Sequence, residues 1–360
     1  MRIGIIGLPF VGKTTLFNLL TGAAAETGGY GSGKQFTNVK TARVPDERVD
    51  YLSEMFKPKK TVYAQIEFID IPGLRRGEGR SASSQFLESV RKVDALVHVV
   101  RAFENPEVIH SEGDINPFRD LETIGMELLF ADLDIIEKRI ERIKTSKKKQ
   151  RNVEEELKVL VKCRDVLEEG KLISSLDLTD EEKEFLKTYS FLTEKPQILV
   201  INLDESQMSL KNYPGQSQIY DYTEKNQVPV IELCAQIEME INSLPEEDRN
   251  EFMKEMGISE PGISRLARIT YKHLGLISFF TAGEDEVKAW TIKKNTTAKK
   301  AAGKIHSDIE KGFIRAEVFH FDDLKAAGSV VGVKERGKFR LEGKDYIVKD
   351  GDIITFRFNI

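Results

Sequence analysis

Short apolar runs of strand length recur along the chain, and the stretches between them change period. Residues 2–6, 93–100, 197–201 and 228–235 are nearly continuous apolar runs. Residues 62–69 alternate and then turn apolar. Each reads as a strand entering a core. Residues 16–20 are apolar at helical spacing, as is expected after a first strand. Strands interleaved with helical segments predict an α/β fold with a mostly parallel sheet. From about Leu121 the period lengthens. Leu129, Leu133, Ile136, Ile140 and Ile143 recur at steps of four and three, flanked by charge. That is a narrow helical seam. A basic stretch over residues 145–152 interrupts it, and Leu157, Leu160, Val161 and Leu167 resume it. The pattern fits two antiparallel helices in a coiled-coil hairpin with a basic tip; one continuous helix is the alternative. Residues 246–256 and 264–274 read as helices, broken by Gly257 and Gly275. From Ile277 the pattern becomes strand and turn, a mixed β module of about 80 residues, a size that can fold alone. Within it, residues 339–348 read as a hairpin, and Asp350-Gly351-Asp352 turns into a last strand.

The 360 residues suggest two or three domains. With 40% hydrophobic and 31% charged residues, the chain has the profile of a globular protein with a sizeable core. The net charge of −5 argues against a general nucleic-acid or DNA binder. The charge is uneven: residues 277–360 carry 16 Lys/Arg against 13 Asp/Glu, so a mildly basic end sits on an acidic body. Cys163 and Cys234 are too few for a disulfide framework or zinc cluster. No apolar run approaches the ~18 residues of a membrane span, and Met1-Arg2 leads into a core strand without a signal peptide. The expected location is a reducing cytoplasm.

The chemistry starts at Gly7-Leu8-Pro9-Phe10-Val11-Gly12-Lys13-Thr14-Thr15, between the first strand and first helix. Gly-x-x-x-x-Gly-Lys-Thr in that context is a phosphate-binding loop. Its glycines let backbone N–H groups surround the β-phosphate, and the helix N-terminus adds partial positive charge. Lys13 reaches the β- and γ-phosphates, the Thr14 hydroxyl ligates Mg²⁺, and Thr15 lies near the α-phosphate. Residues 23–36 are rich in Gly, Ala and Ser, as a first switch would be. Thr37 is its candidate Mg²⁺ ligand, with Thr41 the alternative. The strand ending at Ile69 delivers Asp70-Ile71-Pro72-Gly73-Leu74 to the end of the sheet where ligands bind. Asp70 there holds Mg²⁺ through water, and the Gly73 N–H meets the γ-phosphate. Leu74 occupies the position where Ras-like enzymes carry the glutamine that orients water, which a leucine cannot do. Arg75, Arg76 and Arg80, with Gly77 and Gly79, read as a second switch. His110 lies in the polar loop over residues 104–120 and is a candidate for proton handling or an ordinary loop residue. Asn202-Leu203-Asp204-Glu205 follows a core strand and stands where GTPases carry Asn-Lys-x-Asp. That Asp grips two guanine N–H donors, which adenine lacks. Leu203 and Glu205 therefore weaken guanine selectivity and make adenine plausible, provided that Glu205 points elsewhere. Cys234-Ala235 resembles the Ser-Ala loop lining such a base pocket.

These motifs and the C-terminal module together resemble the YchF family of Obg-like ATPases over essentially the whole chain. Asn202-Leu203-Asp204-Glu205 and Lys311-Gly312-Phe313-Ile314-Arg315-Ala316-Glu317-Val318 are the most telling matches, supported by Arg340-Leu341-Glu342-Gly343-Lys344-Asp345-Tyr346 and Asp350-Gly351-Asp352. The resemblance implies an Obg-type P-loop nucleotide-binding domain over residues 1–127 and 196–276. It assigns 128–195 to an inserted helical hairpin and 277–360 to a TGS domain. It implies Mg²⁺-dependent hydrolysis, ATP preferred over GTP, and association with the ribosome in translation or stress control. The expected contact is rRNA of the large subunit, through the basic hairpin tip and the TGS domain. A nucleotide site would then be lined by Phe10, Val11, Gly12, Lys13, Thr14, Thr15, Asn202, Leu203, Glu205, Cys234 and Ala235. Mg²⁺ would be held by Thr14, Thr37 and Asp70, and Lys13, Gly73 and His110 would carry the chemistry, His110 in place of the missing glutamine. Two features depart from the family pattern. Phe10 replaces a usual Asn that in related enzymes helps hold a monovalent cation, which argues against potassium activation. The first switch is short and lacks an Asn-Pro element. A GTPase of the same architecture, and an RNA- or ribosome-binding module with a mainly structural nucleotide site, are the competing functions.

Overall fold

The computed structural model of the chain describes residues 1–22, 38–74, 79–146 and 152–359. Thr37, the glycine-rich part of the first switch, Arg75, Arg76 and Gly77 of the second, and residues 147–151 of the basic tip lie outside the described residues. The strands are β1 (Arg2–Ile6), β2 (Asn38–Arg43), β3 (Lys60–Val62), β4 (Gln65–Asp70), β5 (Ala95–Arg101), β6 (Gln197–Asn202), β7 (Val230–Leu233), β8 (Leu276–Ala282), β9 (Glu286–Lys293), β10 (Phe313–His320), β11 (Arg340–Glu342) and β12 (Asp352–Phe358). They form two six-stranded sheets.

The first sheet has the order β2-β4-β1-β5-β6-β7, and the four pairs from β4 to β7 are parallel. Every residue of β5 and β6 is buried. Parallel strands covered on both faces must be apolar throughout, which is why these two read as unbroken runs. All the parallel strands end on the same edge, so the loops after β1, β4, β5, β6 and β7 gather there.

The seam that begins at Leu129 belongs to a helix that starts earlier, at Pro117, and runs to Thr145. Asn116 Oδ1 caps it by accepting from the Arg119 N–H at 3.1 Å, and Pro117 fills the first turn, where its missing N–H costs nothing. The helix stops at Ser146 and a second runs from Val153 to Glu168, so the hairpin is two helices and the continuous alternative is excluded. Leu129, Ile136 and Ile140 are buried against Val159, Leu160, Cys163 and Leu167. Arg139 and Glu156 form a two-pronged pair between the helices, both bonds at 2.9 Å.

The chain divides into two compact units, Met1–Thr41 with Glu67–Arg265, and Ala42–Ile66 with Leu266–Ile360. This differs from the division expected from sequence. Residues 42–66 cluster with the C-terminal unit and not with the nucleotide-binding domain. The reason is visible in the predicted strand over 62–69, which is two strands: β3 pairs in parallel with β9, whereas β4 joins the first sheet. Alternation along a strand does not reveal which sheet it enters. Helix Glu47–Phe56, which the sequence reading passed over, accompanies β3.

In the C-terminal unit the order is β11-β10-β12-β8-β9-β3. A core of Phe279, Ile292, Ala301, Ala302, Val318 and Ile354 packs on this sheet. The expected hairpin over 339–348 is not formed. β11 pairs antiparallel with β10, and Ile347 makes only an isolated bridge to Thr297. Tyr346 is turned instead to Asp352, whose carboxylate accepts from its hydroxyl at 2.8 Å.

Candidate functional site

The loop between β1 and helix Lys13–Thr21 is shaped by backbone constraints. Gly12 has φ +97°, and a Cβ there would lie 2.4 Å from Asn202 Nδ2. Gly7 has φ +149°, and its Cβ would strike the Val99 carbonyl at 2.3 Å. Only glycine fits either position. Phe10 also has a positive φ, +60°, and its side chain is 49% exposed. A large apolar side chain held in the left-handed region at a phosphate loop is a strained arrangement.

Lys13 is buried, and its Nζ donates to the Leu8 carbonyl at 2.6 Å, closing the loop on itself. The Thr14 hydroxyl donates to Asp70 Oδ2 at 2.8 Å, which joins the first helix to the end of β4. Burial pushes the Asp70 carboxyl up, opposed by the Thr14 hydrogen bond and the Lys13 charge. Gly73 packs under this corner: a Cβ would lie 2.8 Å from Lys13 Nζ and 2.9 Å from Pro9 N. Leu74 next to it is buried and apolar. Thr15 is half-buried and Val11 fully buried.

Asn202 ties this loop to the opposite wall. Its Nδ2 donates to the Val11 carbonyl at 3.1 Å, and its Oδ1 accepts from the Ala235 N–H at 3.0 Å. Leu203 is buried and its N–H donates to the Leu233 carbonyl. Cys234 is buried at the start of helix Ala235–Ser243, and burial raises its thiol pKa. The structure thus gathers Val11, Gly12, Asn202, Leu203, Cys234 and Ala235 around one corner, and Lys13, Thr14, Asp70 and Gly73 around the other. Glu205 is different. It is exposed in the first turn of helix Glu205–Leu210, where a carboxylate favours the helix dipole.

Asp204 is the residue of this motif that sequence reasoning missed. Its carboxylate accepts from the Gln207 N–H at 2.9 Å, and Gln207 Oε1 accepts from the Asp204 N–H at 3.1 Å. This is a capping box, legible in the Asp-x-x-Gln spacing. His98 was missed as well. It sits within β5, and burial, helped by the Lys13 charge, holds its pKa down to about 3. Its only signal is a histidine inside an otherwise apolar strand. His110 is buried, with Nδ1 accepting from the Glu112 N–H at 3.1 Å and Nε2 2.8 Å from Asp120 Oδ2.

The donor set suits a hydrated magnesium ion. Among the described residues no group of three or more His, Cys, Asp or Glu could enclose a metal. Thr14 and Asp70 supply two adjacent oxygens, and Mg²⁺ characteristically binds through one or two protein groups plus phosphate oxygens and water.

Two family models match the chain. One, described as "50S ribosome-binding GTPase", matches residues 2–130. The other, the YchF GTPase C-terminal model described as "Protein of unknown function (DUF933)", matches residues 276–359. The chain is 44% identical over 364 residues to "Ribosome-binding ATPase YchF" of Bacillus subtilis, covering 100% of both chains. It is 39% identical to "Obg-like ATPase 1" of Oryza sativa, covering 100% of this chain and 92% of that one. The solved structure titled "Structure of the Schizosaccharomyces pombe YchF GTPase" superposes with a TM-score of 0.87 at 33% identity, covering 99% of this chain and 97% of that one. A full-length match of sequence, fold and phosphate-loop geometry makes this chain a nucleotide hydrolase of the YchF family.

Proposed function

We propose that the chain is a Mg²⁺-dependent ATPase that works as a switch on the ribosome, in the cytoplasm, with ATP preferred over GTP. The observation that carries the reading is the Asn202 corner. Its amide spans the phosphate loop and the Ala235 loop, while the acid three residues on, Glu205, is exposed on a helix. A base placed against Leu203, Cys234 and Ala235, all apolar and buried, would leave adenine's amino group no charged competitor among these three side chains. A guanine there would lose the bidentate carboxylate of a usual GTPase. Bound Mg²⁺ would neutralise charge on the β- and γ-phosphate oxygens. Thr14 and Asp70 would hold it, with Thr37 as the switch ligand. Lys13 would leave the Leu8 carbonyl for the phosphates, and the Gly73 N–H would meet the γ-phosphate. His110 would take the part that Leu74 cannot.

The names of the relatives divide between ATPase and GTPase, so calorimetry with each nucleotide is the direct test. ATP should bind at least tenfold tighter than GTP; tighter GTP binding overturns the preference. Chelation of Mg²⁺ should abolish turnover. Single-turnover hydrolysis with Lys13→Ala should fall by about a hundredfold or more, on the scale of losing a transition-state charge contact. Equal rates for Lys13→Ala and wild type would favour the structural nucleotide site.

Ribosome association draws support from the printed names of the relatives and from the C-terminal unit, where Lys293, Lys294, Lys299, Lys300, Lys304 and Lys311 are all exposed. The hairpin tip with Lys147, Lys148 and Lys149 is the second proposed rRNA contact on the large subunit. Cosedimentation with ribosomes should fall steeply between 50 and 200 mM salt, as phosphate contacts require.

A further inference from the structure

A second set of buried ionisable side chains gathers where helix Pro117–Thr145 meets the loop before it. Asp120, in the first turn, is 1% exposed. Its Oδ1 accepts from Arg119 Nε at 3.1 Å and Nη2 at 2.9 Å, and its Oδ2 lies 2.8 Å from His110 Nε2. His110 Nδ1 accepts from the Glu112 N–H, so the ring proton is on Nε2, facing the carboxylate. Arg119 reaches back to the same loop, with Nη1 2.5 Å from Asp114 Oδ1 and Nη2 donating to the Asp114 carbonyl at 2.8 Å. Arg101, buried at the end of β5, adds positive charge near Asp120.

The cluster fastens His110 in an unusual way. Both ring nitrogens face inward, to Glu112 and Asp120, and the side chain is 3% exposed. Yet the approach to Asp120 is close without being in line: among the described residues neither His110 Nε2 nor Asp120 Oδ2 has an aligned hydrogen-bond partner. Arg119 satisfies Asp120 Oδ1, but Oδ2 and the facing His110 Nε2 are buried without an aligned partner, which is costly, and both atoms regain hydration if the loop opens. The His110 end of the clasp is therefore held by a close but unaligned contact and by enclosure, while Arg119 fixes the Asp120 end.

We propose that Asp120 is a positioning residue that stores His110 away from the nucleotide, and that turnover requires the loop over residues 104–116 to open this clasp. The proposal rests on the reading of His110 as the group that replaces the missing glutamine. It adds a built-in brake on the hydrolysis. The groups that face His110 are Asp120 and, around it, Arg119, Asp114 and Arg101.

The test is single-turnover ATP hydrolysis by the full chain with wild type, Asp120→Asn, His110→Ala and the double variant, across pH 5.5–8.5. Asp120→Asn should raise the rate threefold or more without changing ATP affinity and should shift the pH profile. The double variant should be indistinguishable from His110→Ala. Asp114→Asn changes an exposed carboxylate on the same loop and should give a smaller rise, also abolished by His110→Ala; it serves if Asp120→Asn fails to fold. Slow His110→Ala with no acceleration in either loop variant overturns the storage role alone. A lower rate in Asp120→Asn with His110 present overturns it too, because the carboxylate would then assist. His110→Ala turning over like wild type removes the reading beneath the proposal.

Discussion

At the scale of single residues, three positions connect the phosphate loop to the rest of the sheet. Gly12 is the tightest. A methyl group there meets both a left-handed backbone and Asn202 Nδ2. Strain of this kind costs about 1–3 kcal/mol, so Gly12→Ala should weaken nucleotide binding by about tenfold or more in calorimetry. His98 is the second. Its folded pKa is about 3, well under the value near 6.5 of an unfolded histidine. Above pH 6.5 both states are neutral there and the residue costs nothing. Below it the unfolded chain takes up a proton that the folded chain refuses, so stability falls as pH drops. Between pH 7.5 and 5.5 wild type should lose about 1.4 kcal/mol more than His98→Gln in denaturant unfolding. An equal loss in both would show that His98 is protonated in the fold. The third is Asn202, whose one amide serves two loops. These contacts explain why the glycines and the asparagine were legible as a motif while His98 was not. A motif fixes spacing along the chain, whereas His98 matters only through what β1 and the first helix place around it.

At the scale of elements, the helical hairpin shows both the reach and the limit of periodicity. The seam of Leu129, Ile136, Ile140, Leu160 and Leu167 is buried as its spacing requires. The pattern does not say where the hairpin is anchored. Asp132 does this from inside the first helix. Its carboxylate, fully buried, accepts from the Leu192 N–H at 3.0 Å and from the Thr193 N–H and hydroxyl at 2.8 Å. Burial pushes its pKa up, and those three donors hold it down. Asp132→Ala would leave three donors without an acceptor and should lower stability by about 3 kcal/mol, read as a shift in the denaturant midpoint with unchanged slope. An aspartate at a seam-adjacent position looks in sequence like ordinary helix charge. Its partners are 60 residues away, and nothing local announces them. By contrast, the capping box at Asp204 and Gln207 is wholly local and was open to reading.

At the scale of the whole molecule, the decisive fact is the membership of residues 42–66 in the C-terminal unit. Helix Glu47–Phe56 is fixed there by Arg48, which binds Asp46 and reaches Asp350 at 2.9 Å, and by Tyr51 packed edge-on against Phe321. β3 covers the edge of β9, with Lys60, Thr61 and Val62 opposite Glu286, Val287 and Lys288. A fragment of residues 266–360 alone would expose that edge and the apolar surface under the helix. It should melt at lower temperature than the same fragment mixed with a peptide of residues 42–66, and aggregate more readily. No stabilisation by the peptide would mean that the C-terminal unit is complete without it. Because the segment leaves the first sheet after β2 and returns as β4, which carries Asp70, the C-terminal unit is threaded into the chain between the first switch and the Mg²⁺ candidate.

The amino-acid sequence by itself determined the parts whose cause is local or periodic. A strand followed by Gly-x-x-x-x-Gly-Lys-Thr and a helix spells a phosphate loop, parallel strands buried on both faces are apolar throughout, and a three-four seam marks a helix with one face to pack. Tertiary structure alone decided which sheet β3 enters, that residues 339–348 do not close as a hairpin, that a buried Asp132 anchors the helical insertion, and that His110 is enclosed beside Asp120. Those outcomes depend on partners distant in sequence, and the burial of a charge or the choice of a strand neighbour is an energy that exists only once the partners have met.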